Sequence, residues 1–294
     1  MLKFALLTST AILLATGAHA ADLSIPAAPE VISASASGLT GYVEAGVMHT
    51  SWTNTNEDDG DAFGAYGEFG LWYAANNFKV GVDGYIDGLA GQQDEDDVVE
   101  GVRVLGGHAG MQFDNFYAGV FGAVGWAPDE YNEEYVPGYA AGVEAAYDIG
   151  EATLFGHVGY ADVRVDELDS GFTGVFGDFG IAMNLTDSFG VMVKGSGGYA
   201  PENFADEDED DNGLYAIAEI KAIYMLPVDF PLALTASYEL GMWAGPDEND
   251  TATTSTVKVG LSIPFGAESP KDALHVLSTP TAPFRMGAWG DKLD

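Results

Sequence analysis

The sequence has no cysteine, so no disulfide can staple it and no thiolate can hold a metal. Cations are scarce: 10 Lys and Arg stand against 46 Asp and Glu, for a formal net charge of −36. Such a chain repels phosphate, which argues against nucleic acid as a partner. Past residue 20 no apolar run reaches the ~20 residues that a transmembrane helix needs. The composition is not that of a disordered chain either, because 47% of residues are hydrophobic and 12% aromatic. The negative charge must then be segregated from the apolar surface. If this chain enters a membrane, only a closed β-barrel serves, since lipid tolerates no unpaired backbone.

What is present begins with Lys3, an apolar run from Phe4 to Ala15 broken only by Thr8, Ser9 and Thr10, and the small-residue pattern Ala18-His19-Ala20. This reads as a secretory signal peptide, residues 1–20, cleaved after Ala20. Residues 21–38, rich in Ala, Ser and Pro, read as an extended periplasmic leader.

From Leu39 to Phe265 the hydropathy alternates with a period of two. Twelve segments follow that pattern, at about 39–50, 63–74, 77–89, 101–113, 115–126, 137–148, 152–163, 171–184, 188–199, 213–225, 229–243 and 253–265. In the last, Val257, Val259, Leu261, Ile263 and Phe265 oppose Thr256, Lys258, Gly260, Ser262 and Pro264. In 77–89, Phe78, Val80, Val82 and Ile86 oppose Lys79, Asp83, Tyr85 and Asp87; in 229–243, Phe230, Leu232, Leu234, Ala236, Tyr238 and Leu240 oppose Thr235, Ser237 and Glu239. Successive side chains of a strand point to opposite faces, so each segment has one apolar and one polar face. Segment 101–113 is ambiguous, because Arg103 and His108 fall on opposite parities; a β-bulge would reconcile them.

The connections separate a sandwich from a barrel. Short turns at 75–76, 114, 149–151, 185–187 and 227–228 alternate strictly with six long loops. The loops hold the acidic runs, among them Glu57-Asp58-Asp59, Asp94 to Asp97, Asp129-Glu130, Asp166-Glu167, Asp206 to Asp211 and Asp247-Glu248. A soluble sandwich has no reason to gather every acidic run at one end, whereas short periplasmic turns and long external loops mark a transmembrane barrel. Aromatics near segment ends (Trp72, Tyr73, Phe116, Trp126, Tyr147, Tyr160, Phe189, Tyr199, Tyr224, Trp243) suit two interfacial girdles. The expected fold is all-β, an antiparallel up-and-down barrel of twelve strands over 39–265.

On that pattern the chain resembles the broad class of Gram-negative outer-membrane barrels, small porin-like proteins in particular. The resemblance implies a place in the outer membrane, contact with its lipid and lipopolysaccharide, and a final aromatic residue read by the barrel-assembly machinery. Ser262-Ile263-Pro264-Phe265 looks like that ending, yet residues 266–294 follow it. They are expected either as a periplasmic tail or as a plug in the lumen.

The polar faces supply the site candidates. Glu44, Glu68, Lys79, Asp83, Asp87, Glu144, His157, Asp178, Lys194, Glu219, Lys221, Glu239 and Lys258 are expected to line the lumen, where an excess of carboxylates would favour cations. Asp208-x-Asp210-x-Asn212-Gly213-x5-Glu219 satisfies the EF-hand formula. A strand from Gly213 would carry Glu219 ~20 Å away at ~3.3 Å per residue, so a true EF-hand is not expected. Weak Ca²⁺ or Mg²⁺ binding by Asp206, Asp208, Asp210 and Asn212 stands against a plain solvated loop. No catalytic set is legible: the mature chain's His49, His108, His157 and His275 form no Asp-x-His pattern, and no cofactor motif occurs. Two functions follow. One is a cation-preferring diffusion channel for small hydrophilic solutes; the other is a non-conducting structural or surface-interaction barrel whose acidic loops bind divalent cations.

Overall fold

The computed structural model describes residues 38–54, 59–91, 101–129, 134–165, 170–200, 213–244 and 251–289. The signal peptide, most of the leader, and the proposed loop ligands Asp206, Asp208, Asp210 and Asn212 lie outside the described residues.

Twelve strands form: β1 (Gly38–Asn54), β2 (Gly60–Ala75), β3 (Phe78–Gly91), β4 (Arg103–Phe113), β5 (Phe116–Asp129), β6 (Glu134–Asp148), β7 (Ala152–Val165), β8 (Ser170–Thr186), β9 (Phe189–Ala200), β10 (Gly213–Met225), β11 (Ala233–Ala244) and β12 (Thr251–Phe265). Each pairs antiparallel with its sequence neighbours, and β1 pairs with β12 from Gly41↔Phe265 to Asn54↔Ala252. The barrel is therefore closed and leaves no sheet edge unpaired, the condition for a sheet in lipid.

The period-two pattern sets which face turns outward. Val43 and Val47 are exposed while Glu44 between them is buried, and Val257, Val259 and Leu261 are exposed while Thr256 is buried. The outward apolar side chains gain about 1.5–3 kcal/mol each on leaving water. The strands run to 17 residues, past the ~9–11 that a tilted membrane strand requires. The turns at one end are tight. Asn76 and Asp114 take positive φ, 53° and 51°, a conformation that Asn and Asp tolerate better than most side chains.

Three sequence expectations are corrected. The bend before β11 reaches Leu232, and the strand starts at Ala233 rather than 229, because Pro227 and Pro231 have no N–H to give a ladder and Leu226 N–H instead donates to Leu232 O. No bulge interrupts β4: its ladders to β3 and β5 run without a shift, and Arg103 simply faces out while Val104 and His108 face in. Trp72 and Trp243 belong to no girdle, for both are buried inside the barrel, where they add to its core.

After β12 the chain turns inward. Gly266 takes φ 73°, and a Cβ there would also crowd the Leu39 carbonyl, so glycine fits this corner. A 3-10 turn (Asp272–Leu274) and a helix α1 (Ala282–Trp289) follow. Leu274, Leu277, Thr279, Phe284 and Arg285 are all buried. The described part of this segment, 266–289, packs inside the barrel, and residues 290–294 lie outside the described residues.

Candidate functional site

The interior is the site, and it has three levels, read from the short-turn end. At the first level the segment is anchored by charge. Lys271 Nζ lies 2.6 Å from Asp148 Oδ2 and donates to Gly150 O, while Lys271 N–H donates to Asn184 Oδ1 at 2.7 Å. Ala273 and Leu274 pack among Phe155, Ala182, Met192, Ile223 and Ala233, and Leu277 packs on Trp72 and Tyr117. His275 stacks on Tyr42 with ring centroids 3.3 Å apart, and Tyr42 Oη hydrogen-bonds Ser278 Oγ. Burial, together with the nearby ammoniums of Lys221 and Lys79, holds the His275 imidazole well below its usual pKa, so it is neutral.

The middle level is a buried chain of alternating acids and histidines across β3, β4, β6, β7 and β8. His108 bridges Asp83 (Nε2–Oδ1 2.9 Å) and Glu144 (Nδ1–Oε2 2.7 Å). Glu144 also accepts from Tyr117 Oη and lies 3.6 Å from His157, which in turn meets Asp178 at 2.8 Å. Thr279 closes on this chain from the tail, for its N–H and its hydroxyl both donate to the Asp83 carboxylate, at 2.7 and 2.8 Å. Thr279 Oγ1 is 3.2 Å from His108 Nε2, but its proton is committed to Asp83 and Trp72 and Phe121 wall the imidazole. The arrangement is a latch for the tail rather than an activated nucleophile.

Across the lumen, Glu44 and Glu68 stand directly opposite in the β1–β2 ladder, a repulsive register. Lys221 of β10 reaches over and bridges them, at 3.1 Å to Glu44 and 2.7 Å to Glu68, and Tyr66 and Thr235 donate to Glu44 as well. Glu219 and Glu239 repeat the problem in the β10–β11 ladder. Lys194 pairs with Glu219 at 2.7 Å, and Arg285 of α1 pairs with Glu239 at 2.7 Å. Those carboxylates and Asp87 keep the Arg285 guanidinium charged despite its burial. Lys258 and Arg285 both donate to Tyr85 Oη, which donates to Asp87.

The third level is apolar. Phe284 is fully buried in a cluster with Val104, Phe121, Phe172, Phe176, Tyr215 and Trp243. Small wall residues make room for the tail: a Cβ on Gly125 would overlap the Phe284 ring, and one on Gly106 would overlap the Thr279 hydroxyl.

The side chains of all thirteen lumen candidates thus sit in the interior, on the inward parity of their strands. Their pairing is what the sequence did not reveal, and His108 was missed as a member because the Arg103 parity obscured it. The parity of Val102 and Val104, both buried, was the available signal. Glu219 lies within β10 and pairs with Lys194. Among the described residues no group of three or more His, Asp and Glu has metal-binding geometry.

No family model matches the sequence, and no curated protein matches it. Solved structures do. The COG4313 outer membrane channel from Pseudomonas putida F1 shares 13% identity at a TM-score of 0.54, over 81% of this chain and 100% of that one. The translocator domain of the autotransporter NalP from Neisseria meningitidis (12%, TM-score 0.47, 78% and 89%) and the Pseudomonas putida toluene transporter TodX (8%, TM-score 0.40, 79% and 90%) overlay more loosely, too loosely to bear on function. The fold is that of an outer-membrane β-barrel.

Proposed function

We propose that the protein is an outer-membrane channel for small hydrophilic solutes, cation-preferring when open and held shut by its own segment 266–289. One observation carries this reading: the β1–β12 ladder completes the barrel without that segment, which fills the passage through side-chain contacts and joins no strand ladder. The plug can therefore leave while every barrel hydrogen bond between strands stays in place. What it would uncover is charged. The thirteen lumen candidates comprise eight carboxylates, four lysines and one histidine, and departure of Arg285 frees Glu239 of its cation. An acidic low-dielectric passage concentrates cations. Outer-membrane lipid and lipopolysaccharide would surround the apolar belt, and the assembly machinery would read the Phe265 end of β12.

The packed interior also favours a second reading, a non-conducting structural barrel whose external acidic loops bind Ca²⁺ or Mg²⁺ weakly. Single-channel recording in a planar bilayer under a salt gradient separates the two. The full mature chain is expected mostly closed, and the chain ended after Phe265 is expected to give stable, cation-preferring steps. A silent truncated barrel that still shows heat-modifiable migration, the mark of correct folding, would sink the channel and leave the structural barrel.

A further inference from the structure

At the short-turn end the lumen keeps a cavity of about 280 Å³, lined in part by Thr40 and Gly41 of β1 and Phe265 of β12. Its walls include Trp72, Tyr117, Lys79, Gln112 and Asn115 from the barrel, and the plug's first turn from Gly266 to Leu277. Lys79 is the unusual member. Its ammonium lies 4.8 Å from the Trp72 ring centroid and 5.4 Å from that of Tyr117, and among the described residues it forms no ion pair. The carboxylates nearby are engaged elsewhere. Asp148 is taken by Lys271, Thr153 and the Gly150 N–H, Asp272 by Ser269, and Glu144 by His108 and Tyr117. Gln112 and Asn115 each give one amide N–H to a backbone carbonyl and have a second available.

We propose that this cavity binds a small organic monoanion, its carboxylate paired with the Lys79 ammonium and its flat apolar body against Trp72 and Tyr117. A half-satisfied ammonium between two aromatic rings recruits one negative charge. A second charge on the ligand would meet Asp148 and Asp272 on the same walls, which selects a monoanion. Size agrees: an apolar cavity of ~150 Å³ takes up benzene, so this one has room for a ring that carries a carboxylate. Benzoate has that size and charge. Because the plug supplies part of the wall, the site exists only with the plug seated, but binding does not require that the barrel conduct.

The test is isothermal titration of benzoate into the refolded full chain in non-ionic detergent. One site is expected, with a Kd of about 0.1–1 mM for so small a ligand. Benzyl alcohol keeps the ring and lacks the charge, and is expected to bind at least about tenfold more weakly, the worth of a charge-assisted hydrogen bond. Lys79→Gln should lose the same factor, with folding verified by heat-modifiable migration, and Lys79→Arg should retain most of the affinity. No saturable binding by the wild type up to ~10 mM would overturn the site, as would benzyl alcohol binding as tightly as benzoate or an unchanged Kd in Lys79→Gln. If Lys79→Gln does not fold, the benzoate and alcohol comparison on the wild type decides alone. Since no step reads conductance, failure here leaves the channel proposal standing, and failure of the channel leaves this site standing.

Discussion

Phe284→Ala is the substitution that most directly weighs the plug. Phe284 is fully buried, and Gly125 provides the space its ring occupies. Truncating a buried Phe to Ala costs about 3–5 kcal/mol in a packed core. Only the docked state contains this contact, so the whole cost falls on docking and the barrel ladders are untouched. At ~1.4 kcal/mol per factor of ten, the ratio of docked to released segment should fall by about 100- to 4,000-fold. In single-channel recordings of the full chain this appears as more frequent and longer openings at the same unit conductance as the chain ended after Phe265. Water entering the vacated seat would bring the effect toward the low end of that range. An open fraction unchanged in Phe284→Ala, with the truncated chain conducting normally, would mean that Phe284 does not hold the plug.

Three further perturbations probe the other ties. His275 is neutral and buried, with a docked-state pKa well below its usual ~6.5, so docking binds fewer protons than release; the stability it lends is present at higher pH and is lost as pH falls below ~6.5, by at most tenfold per unit. Open fraction should therefore rise between about pH 6.5 and 5, and His275→Phe, which keeps the stack on Tyr42, should flatten that slope; an equally steep slope in the variant would assign it to the buried carboxylates instead. Gly106→Cys with Thr279→Cys, in a chain that has no other cysteine, places the two Cβ atoms about 3.0 Å apart, close to disulfide spacing after a small adjustment. In the Phe284→Ala background the oxidised pair should silence conductance and reduction should restore it. Lys221→Met leaves Glu44 and Glu68 facing each other without a cation, at a cost of about 3–5 kcal/mol. It should lower the temperature at which the folded band is lost in electrophoresis, and Glu44→Gln with Glu68→Gln should recover it.

The barrel was legible because lipid enforces a strict rule on each strand. In β12 every second residue from Val257 to Ile263 must be apolar to face hydrocarbon, and the residues between them need not be, so the period survives in the sequence. Inward positions obey a weaker rule, because a plugged interior accepts both charge and apolar bulk. Trp72 and Trp243 therefore looked like interfacial residues although they face the core, and the β4 parity was hidden by an outward Arg103. The pairings were not legible at all. Lys221 reaches Glu68 across 153 positions of sequence and Thr279 reaches Asp83 across 196, distances fixed only when the ladder closes. The segment after Phe265 gave the least warning, since nothing local told a tail in solvent from one in a lumen.

On the channel reading, the charge arrangement accounts for a segment that is both held and releasable. A barrel whose inward face carries eight carboxylates against four lysines among its candidates has an excess of negative charge that repels itself when shut off from water. The plug arrives with a cation at each end of its path, Lys271 against Asp148 and Arg285 against Glu239, so closing the lumen also neutralises part of it. A buried pair of this kind contributes little net stability, because desolvation offsets its attraction, but removing one partner is costly. The ion pairs thus set where the plug sits, and the Phe284 seat sets how tightly. Arg285→Leu should leave Glu239 beside Lys258 and Asp87 without the guanidinium and should open the channel as strongly as Phe284→Ala. Arg285→Leu combined with Glu239→Leu, which removes both charges, should close it again while lowering cation preference of the remaining openings. Recovery of closure in the double variant distinguishes a positional ion pair from one that supplies the binding energy itself; a double variant as open as Arg285→Leu alone would assign the energy to the charge.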